Sequence, residues 1–321
     1  MSAAGKRPRR ETPPPPLAAI VGPTASGKSE LALALAMRLP VEIVGADSRQ
    51  VYRGMDIGTA KPSAAERASV PHHLIDMVAP DESFTLADWL AAARAVVPEI
   101  WSRGHLPLLV GGTGLYASAL ADGYQLGGQR PSPELRQALT QEVEQVGLGG
   151  LAARLTQLDP ETAKRTDLHN PRRVLRALER LDAGGGAPLD TPKGEPWPGR
   201  VALLGVERPR PVLHARILER AERMFATGLL DETAALHKAG HGPDLAPLSG
   251  HGYREAFRVL AGEWSVAQAV AETSRRTRQY AKRQMTWFRR DRRIVWLQPG
   301  SETADVLADQ AADLLRLMTG W

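Results

Sequence analysis

Short apolar runs alternate with stretches of helical periodicity along the first third of the chain. Leu17 to Val21 is an unbroken apolar run that ends at Gly22, and Leu31, Leu35 and Leu39 follow at four-residue spacing. That spacing predicts a helix from about Lys28 to Leu39. A second apolar run, Val41 to Val44, ends at Gly45, and a third covers Leu106 to Val110. Between them, Ser83 to Trp101 reads as a helix in which Thr85 and Asp88 stand at capping-box spacing. Pro98 should kink or interrupt it. Apolar strands alternating with helices signal a parallel sheet covered on both faces, and ligands of such sheets sit beyond the carboxyl ends of the strands.

From Gly127 to Gly199 the strand grammar stops. PELRQALTQEVEQVG, GLAARLTQLD and NPRRVLRALERLD read as helices, bordered by the linker-like stretches LGGQRPSP and DAGGGAPLDTPKGEPWPG. Val201 to Val206 restarts the sheet pattern, followed by helices around Pro211 to Thr227, Asp231 to Lys238 and Tyr253 to Ala261. Ser265 can cap a long helix reaching about Arg290, and Arg293 to Leu297 reads as a last strand before a closing helix. The expected organisation is one α/β sheet domain over residues 17–126 and 201–321, interrupted by a helical insertion at 127–200.

Composition narrows the chemistry. The chain has 321 residues and no cysteine, which excludes disulfide scaffolds, cysteine-bound zinc and iron–sulfur sites, and thiol nucleophiles. Lys plus Arg number 41 against 36 Asp plus Glu, a net charge of +5 that permits a polyanionic partner. Residues 1–16, MSAAGKRPRRETPPPP, read as a disordered basic, proline-rich tail without the apolar run of a signal peptide. No window is apolar enough for a transmembrane helix, so the expected location is the cytoplasm and no membrane partner is expected.

GPTASGKS, from Gly22 to Ser29, satisfies G-x-x-x-x-G-K-[ST] between a predicted strand and a predicted helix. Gly22 and Gly27 let the backbone turn its N–H groups toward a phosphate, Lys28 neutralises phosphate oxygens, and the Ser29 hydroxyl can bind magnesium. The core is therefore expected to be P-loop NTPase-like. An NTPase would usually end an apolar strand in a metal-binding acid, but the third run ends in Val110-Gly111-Gly112-Thr113-Gly114. An acid closes the second run instead, Asp47 in GADSRQVYRGMDIGTAKP. Its position allows three roles: capping a turn, holding metal through water, or accepting a proton from a substrate nucleophile.

Basic charge concentrates between Arg275 and Arg293, where Arg275, Arg276, Arg278, Lys282, Arg283, Arg289, Arg290, Arg292 and Arg293 are opposed only by Asp291. On a helix, Arg275, Arg276, Arg278, Lys282, Arg283, Arg289 and Arg290 share an arc of about 160°. Arg172, Arg173, Arg176 and Arg180 form a smaller stripe in the insertion. Two cationic stripes beside a phosphate loop favour a nucleic-acid partner. The pair His72 and His73 lacks metal-ligand spacing and reads as structural or surface residues.

Taken together, GPTASGKS, DSRQVYRGMDIGTAKP, LLVGGTGLY and RRTRQYAKRQMTWFR, in this order, resemble the bacterial tRNA dimethylallyltransferase family, also called tRNA isopentenyltransferases. The resemblance runs from about Leu17 to Leu297. It implies transfer of a dimethylallyl group from dimethylallyl diphosphate to the exocyclic amine of the adenosine 3′ to the anticodon, with magnesium present and diphosphate released. By resemblance, Gly22, Pro23, Thr24, Ala25, Ser26, Gly27, Lys28 and Ser29 cradle the diphosphate, with Arg254 nearby, and Ser29 helps hold the metal. Asp47 accepts the amine proton, Thr113 hydrogen-bonds near the amine and Lys28 stabilises the leaving charge. Asp47, Ser48, Arg49 and Gln50 line the mouth that receives the flipped base. Arg172, Arg173, Val174, Leu175 and Arg176, with Arg278, Lys282 and Arg283, grip the anticodon stem-loop, so that the insertion acts as a clamp arm on a monomeric enzyme. Ser249-Gly250-His251 departs from the family pattern, which has an aliphatic residue before the glycine of Gly252-Tyr253-Arg254. The competing readings are a P-loop small-molecule kinase, an isopentenyltransferase of free nucleotides, and an RNA-binding factor that senses nucleotide. The first two need neither the insertion nor the cationic helix, and the third does not need Asp47 and Thr113 together.

Overall fold

The computed structural model describes residues 14–126, 133–182, 194–299 and 304–321. Most of the proline-rich tail and much of both border stretches lie outside the described residues.

The strands are β1 (Leu17–Val21), β2 (Val41–Gly45), β3 (His72–His73), β4 (Leu106–Gly111), β5 (Val201–Val206) and β6 (Ile294–Leu297). They form one sheet in the order β3-β2-β4-β1-β5-β6, and every adjacent pair runs parallel. The helices before the insertion are α1 (Lys28–Ala36), α2 (Ala64–Ser69), α3 (Leu86–Ser102) and α4 (Gly114–Ala121). Those of the insertion are α5 (Pro133–Leu158), α6 (Pro160–Arg165) and α7 (Pro171–Asp182). After it come α8 (Arg210–Ala226), α9 (Leu229–Lys238), α10 (Tyr253–Leu260), α11 (Val266–Phe288) and α12 (Ala304–Thr319).

The near-continuous apolar strands follow from burial on both faces. Ala18, Ile20, Ile43, Leu108 and Leu204 pack against Leu31 and Leu35 of α1 and Leu307 and Ala311 of α12. The alternate positions Leu17, Ala19, Val44 and Leu109 are equally buried, on the side covered by α3 and α4. Because α1 and α4 leave neighbouring strands β1 and β4 toward opposite faces, a crevice opens at the carboxyl ends of these two strands. The phosphate loop and Gly111–Thr113 flank it.

Both expected caps form. Thr85 and Asp88 close a capping box on α3, and Ser265 and Gln268 close one on α11. The expected break at Pro98 does not occur: α3 continues through it to Ser102. Proline here forfeits one helical hydrogen bond near the helix end, while fully buried Val97 and Ile100 hold the last turns in place. The strand β3 was not anticipated, because two residues carry no periodicity.

The chain divides into two compact units, Met1–Asp122 with Pro196–Trp321, and Gly123–Glu195. The second unit has its own core of Leu139, Leu151, Leu155, Ala163, Val174, Ala177 and Leu178. Its first helical stretch bends at Gly147, whose φ of 69° is left-handed. Among the described residues no helix is long and apolar enough to cross a membrane.

Candidate active site

The loop from Gly22 to Ser29 is shaped by backbone that only small residues tolerate. Gly22 has φ 141°, and a Cβ there would lie 2.7 Å from the Val206 carbonyl oxygen. Gly27 has φ 104° and leads directly into α1. The loop carbonyls are taken up by cations: Lys28 Nζ donates to Pro23 O at 2.7 Å, Arg216 Nε to Ala25 O at 3.0 Å, and Arg208 Nε to Ser26 O at 2.7 Å. Arg220 donates to Thr24 Oγ1 at 3.3 Å and to Thr59 O at 3.3 Å. This arrangement concentrates positive charge where a polyphosphate would bind. It also depresses Lys28, which burial, and then the neighbouring Arg220 charge, lower from 10.5 to about 8.

The opposite wall is built from the ends of β2 and β4. Asp47 Oδ1 accepts the Arg49 amide at 2.8 Å, and Oδ2 has no hydrogen bond among the described residues. Thr113 Oγ1 accepts the Ser48 amide at 3.2 Å, while Thr113 N donates to Ala46 O at 3.2 Å. Those two loops touch so closely that a Cβ on Gly111 would lie 2.0 Å from the Ala46 carbonyl oxygen. Gln284 of α11 joins the walls: its Oε1 accepts from Thr24 N at 2.8 Å and its Nε2 donates to Gly112 O at 2.8 Å.

The result is a cavity of about 140 Å³ lined by Thr24, Lys28, Ser29, Asp47, Gln50, Arg220, Tyr280 and Gln284, among others. Thus Thr24, Lys28, Ser29, Asp47 and Gln50 line one cavity. Thr113 adjoins the cavity through Ser48. Arg254 does not line it: it is the exposed second residue of α10, and its charge is felt at Glu272. Arg220, not anticipated from the sequence, supplies the arginine instead. Arg278 and Lys282 line a separate pocket of about 880 Å³ between α8 and α11, with Pro23, Arg208 and His214.

The cationic stripes are less free than their spacing suggests. Arg275 pairs with Glu272, Arg276 with buried Glu255, Arg289 with Glu207, and Arg293 with Asp122 and Asp291. In the second unit Arg172 and Arg173 are exposed and Arg176 pairs with Glu179. Val174 is fully buried in that unit's core, so its side chain is withdrawn from any partner, and Leu175 is half-buried. Arg49 turns back to donate to the Ala246 and Pro247 carbonyls.

The segment that carries Asp47 is secured by a residue that sequence reasoning missed. Glu232 of α9 accepts the amides of Asp56, Ile57 and Gly58 at 3.0, 2.7 and 3.1 Å, and the Tyr253 hydroxyl at 2.6 Å. Lys61, with its side chain fully buried, bridges Asp56 and Asp76 at 2.6 and 2.5 Å. His73 Nε2 donates to the Glu42 carboxylate at 2.7 Å. His72 lines the cavity wall, its ring at 2.7 Å from Val70 O.

Among the described residues no group of three or more His, Cys, Asp or Glu could hold a metal. The donors available on this cavity, the exposed Ser29 hydroxyl together with phosphate and water, fit a magnesium ion. They do not fit a caged transition metal.

The sequence model of the IPP transferase family matches residues 50–291, and that of the isopentenyl transferases matches residues 15–77. A tRNA dimethylallyltransferase of Roseiflexus sp. (strain RS-1) is 45% identical over 94% of this chain and 98% of its own. One from Roseiflexus castenholzii is 48% identical over 88% and 92%. The crystal structure of the full-length tRNA isopentenylpyrophosphate transferase from Bacillus halodurans superposes with a TM-score of 0.70 at 38% identity, covering 95% of this chain and 96% of that one. Fold and site thus define a P-loop-type α/β transferase with a carboxylate facing its phosphate loop. More particularly, the chain belongs to the IPP transferase family, the tRNA dimethylallyltransferases.

Proposed function

We propose that this enzyme transfers the dimethylallyl group of dimethylallyl diphosphate to the exocyclic amine of the adenosine 3′ to the anticodon in tRNA, acting as a monomer in the cytoplasm. The observation that carries the reading is the single cavity shared by Lys28, Arg220 and Asp47. Two cations suit a diphosphate leaving group, and a carboxylate on the same cavity suits a proton acceptor.

The chemistry follows from what each group can do. The loop amides, Lys28 and Arg220 hold the diphosphate and stabilise the charge that grows on it as the allylic C–O bond breaks. The amine nitrogen forms the new C–N bond, its proton passes to Asp47, and the C–O electron pair leaves with the diphosphate. An amine conjugated with the purine ring is a weak nucleophile, so assisted proton loss matters. Thr113 Oγ1, which accepts from Ser48 N, still has its own proton to donate toward the base. Ser29 and the diphosphate would hold magnesium, which supplies charge neutralisation when bound. The adenosine must leave its stack to reach the cavity, with Ser48 to Gln50 at the mouth. Arg278, Lys282, Arg283, Arg172, Arg173 and Arg176 contribute cationic contacts to the anticodon stem-loop.

Incubation with unmodified tRNA and labelled dimethylallyl diphosphate, followed by nucleoside analysis, tests this reading. Label is expected on one adenosine beside the anticodon. Label on free nucleotides, or only in the presence of ATP, would contradict it.

A further inference from the structure

The surroundings of His251 are built. The turn before it, Ala246–Ser249, is held by Arg49. After it, Gly252 takes the left-handed φ of 98° and its amide donates to Glu255 Oε2 at 2.7 Å. Glu255 is in turn gripped by Arg276 at 2.5 Å. A residue pinned on both sides holds its ring in one place.

That ring meets Tyr280 of α11 edge to face, with centroids 5.6 Å apart and planes at 72°. The Arg283 guanidinium lies over the same tyrosine ring, 5.7 Å from its centroid. Tyr280 is therefore held by an aromatic neighbour and by a cation over its ring, and it lines the cavity that holds Asp47. Burial, and then the Arg276 charge, lower His251 to about 4, so it meets its three arginine neighbours as a neutral ring. Tyr280 is pushed up to about 12, mainly by burial, and stays a neutral phenol.

We propose that Tyr280 is the surface on which the acceptor purine of the RNA packs beside Asp47, and that His251 is a positioning residue that braces this ring. The inference rests on the reaction proposed above and deepens it. A flipped base has lost its stacking partners, and an aromatic ring restores a π-face that an aliphatic side chain cannot. An edge-to-face neighbour fixes the plane of that ring, so the base is presented in one orientation to the carboxylate.

The test uses an anticodon stem-loop RNA with 2-aminopurine at the acceptor position, titrated with the full-length protein, alongside steady-state transfer to unmodified tRNA. With the unaltered protein the bound fluorophore should be quenched. Tyr280→Leu should brighten it several-fold and raise KM for tRNA by about tenfold, with kcat within about threefold. Tyr280→Phe, which keeps the ring, should retain most of the quenching and lose far less affinity for tRNA than Tyr280→Leu. His251→Val should fall between them. Unchanged fluorescence and KM in Tyr280→Leu would overturn the proposal, as would equal impairment of Tyr280→Phe and Tyr280→Leu. Failure of the unaltered protein to prenylate any tRNA would instead strike the proposed reaction, and would leave the fluorescence result standing on its own.

Discussion

Lys28 sits in a pocket that disfavours its charge, so its protonation should be visible in binding. In the free enzyme the group is held near 8, and only the ammonium form neutralises a diphosphate. Affinity for dimethylallyl diphosphate should therefore be flat below that value and fall by about tenfold for each further pH unit. Calorimetric titration between pH 7 and 9.5 checks this, and a flat profile would remove Lys28 from the phosphate site. Glu42 works in the opposite sense. Hydrogen bonds from Arg103, opposed by burial and joined by His73 and His105, lower it from 4.5 to about 2. The stabilisation is complete above about 4.5 and is lost as pH falls from there toward 2, where the unfolded chain takes up its proton first. Glu42→Gln should flatten the dependence of Tm on pH in this window. At this scale the sequence revealed the groups that a local motif defines, such as Gly22, Gly27, Lys28 and Asp47. It hid Arg220 and Gln284, whose roles arise when α8 and α11 fold back onto the loop from 196 and 260 residues away.

Elements were legible where their signals are local. The capping boxes of α3 and α11 need only residues three apart, and both form. Pro98 misled because a proline's cost near a helix end is small beside the burial of Val97 and Ile100. The segment from Asp47 to Lys61 was recognisable only as a block, since what shapes it is Glu232 of α9. Glu232→Ala leaves three amides and a tyrosine hydroxyl without their acceptor, a loss of about 2–4 kcal/mol. Tm should fall by roughly 6–12 °C, and transfer should fall with it as Gln50 and Asp47 lose their support. Calorimetry and activity measured together decide the point. An unchanged Tm would show that the segment holds its shape without α9.

For the whole molecule, the net charge of +5 says little, because much of the concentrated positive charge is already paired. In the second unit, Arg172 and Arg173 are exposed while Arg176 is committed to Glu179. Replacing Arg172 and Arg173 together by Ala should weaken tRNA binding and reduce the slope of log K against log salt by about 1–2. An identical slope would exclude them from the RNA surface. The division into a sheet unit and a helical unit was visible in the change of periodicity, although the boundaries at 122–123 and 195–196 lie a few residues from the composition breaks. Glycine and proline mark where a chain can turn, and packing decides where a unit ends.

The central claim is that one cavity holds the leaving diphosphate and places a carboxylate beside the attacking amine. A single-turnover transfer experiment on preformed enzyme–tRNA complex, comparing the unaltered protein with Asp47→Ala, tests it most directly. The account predicts tRNA binding within about threefold and a transfer rate at least a hundredfold lower in the variant. Transfer at the unaltered rate, or a loss of transfer matched by an equal loss of binding, would contradict it.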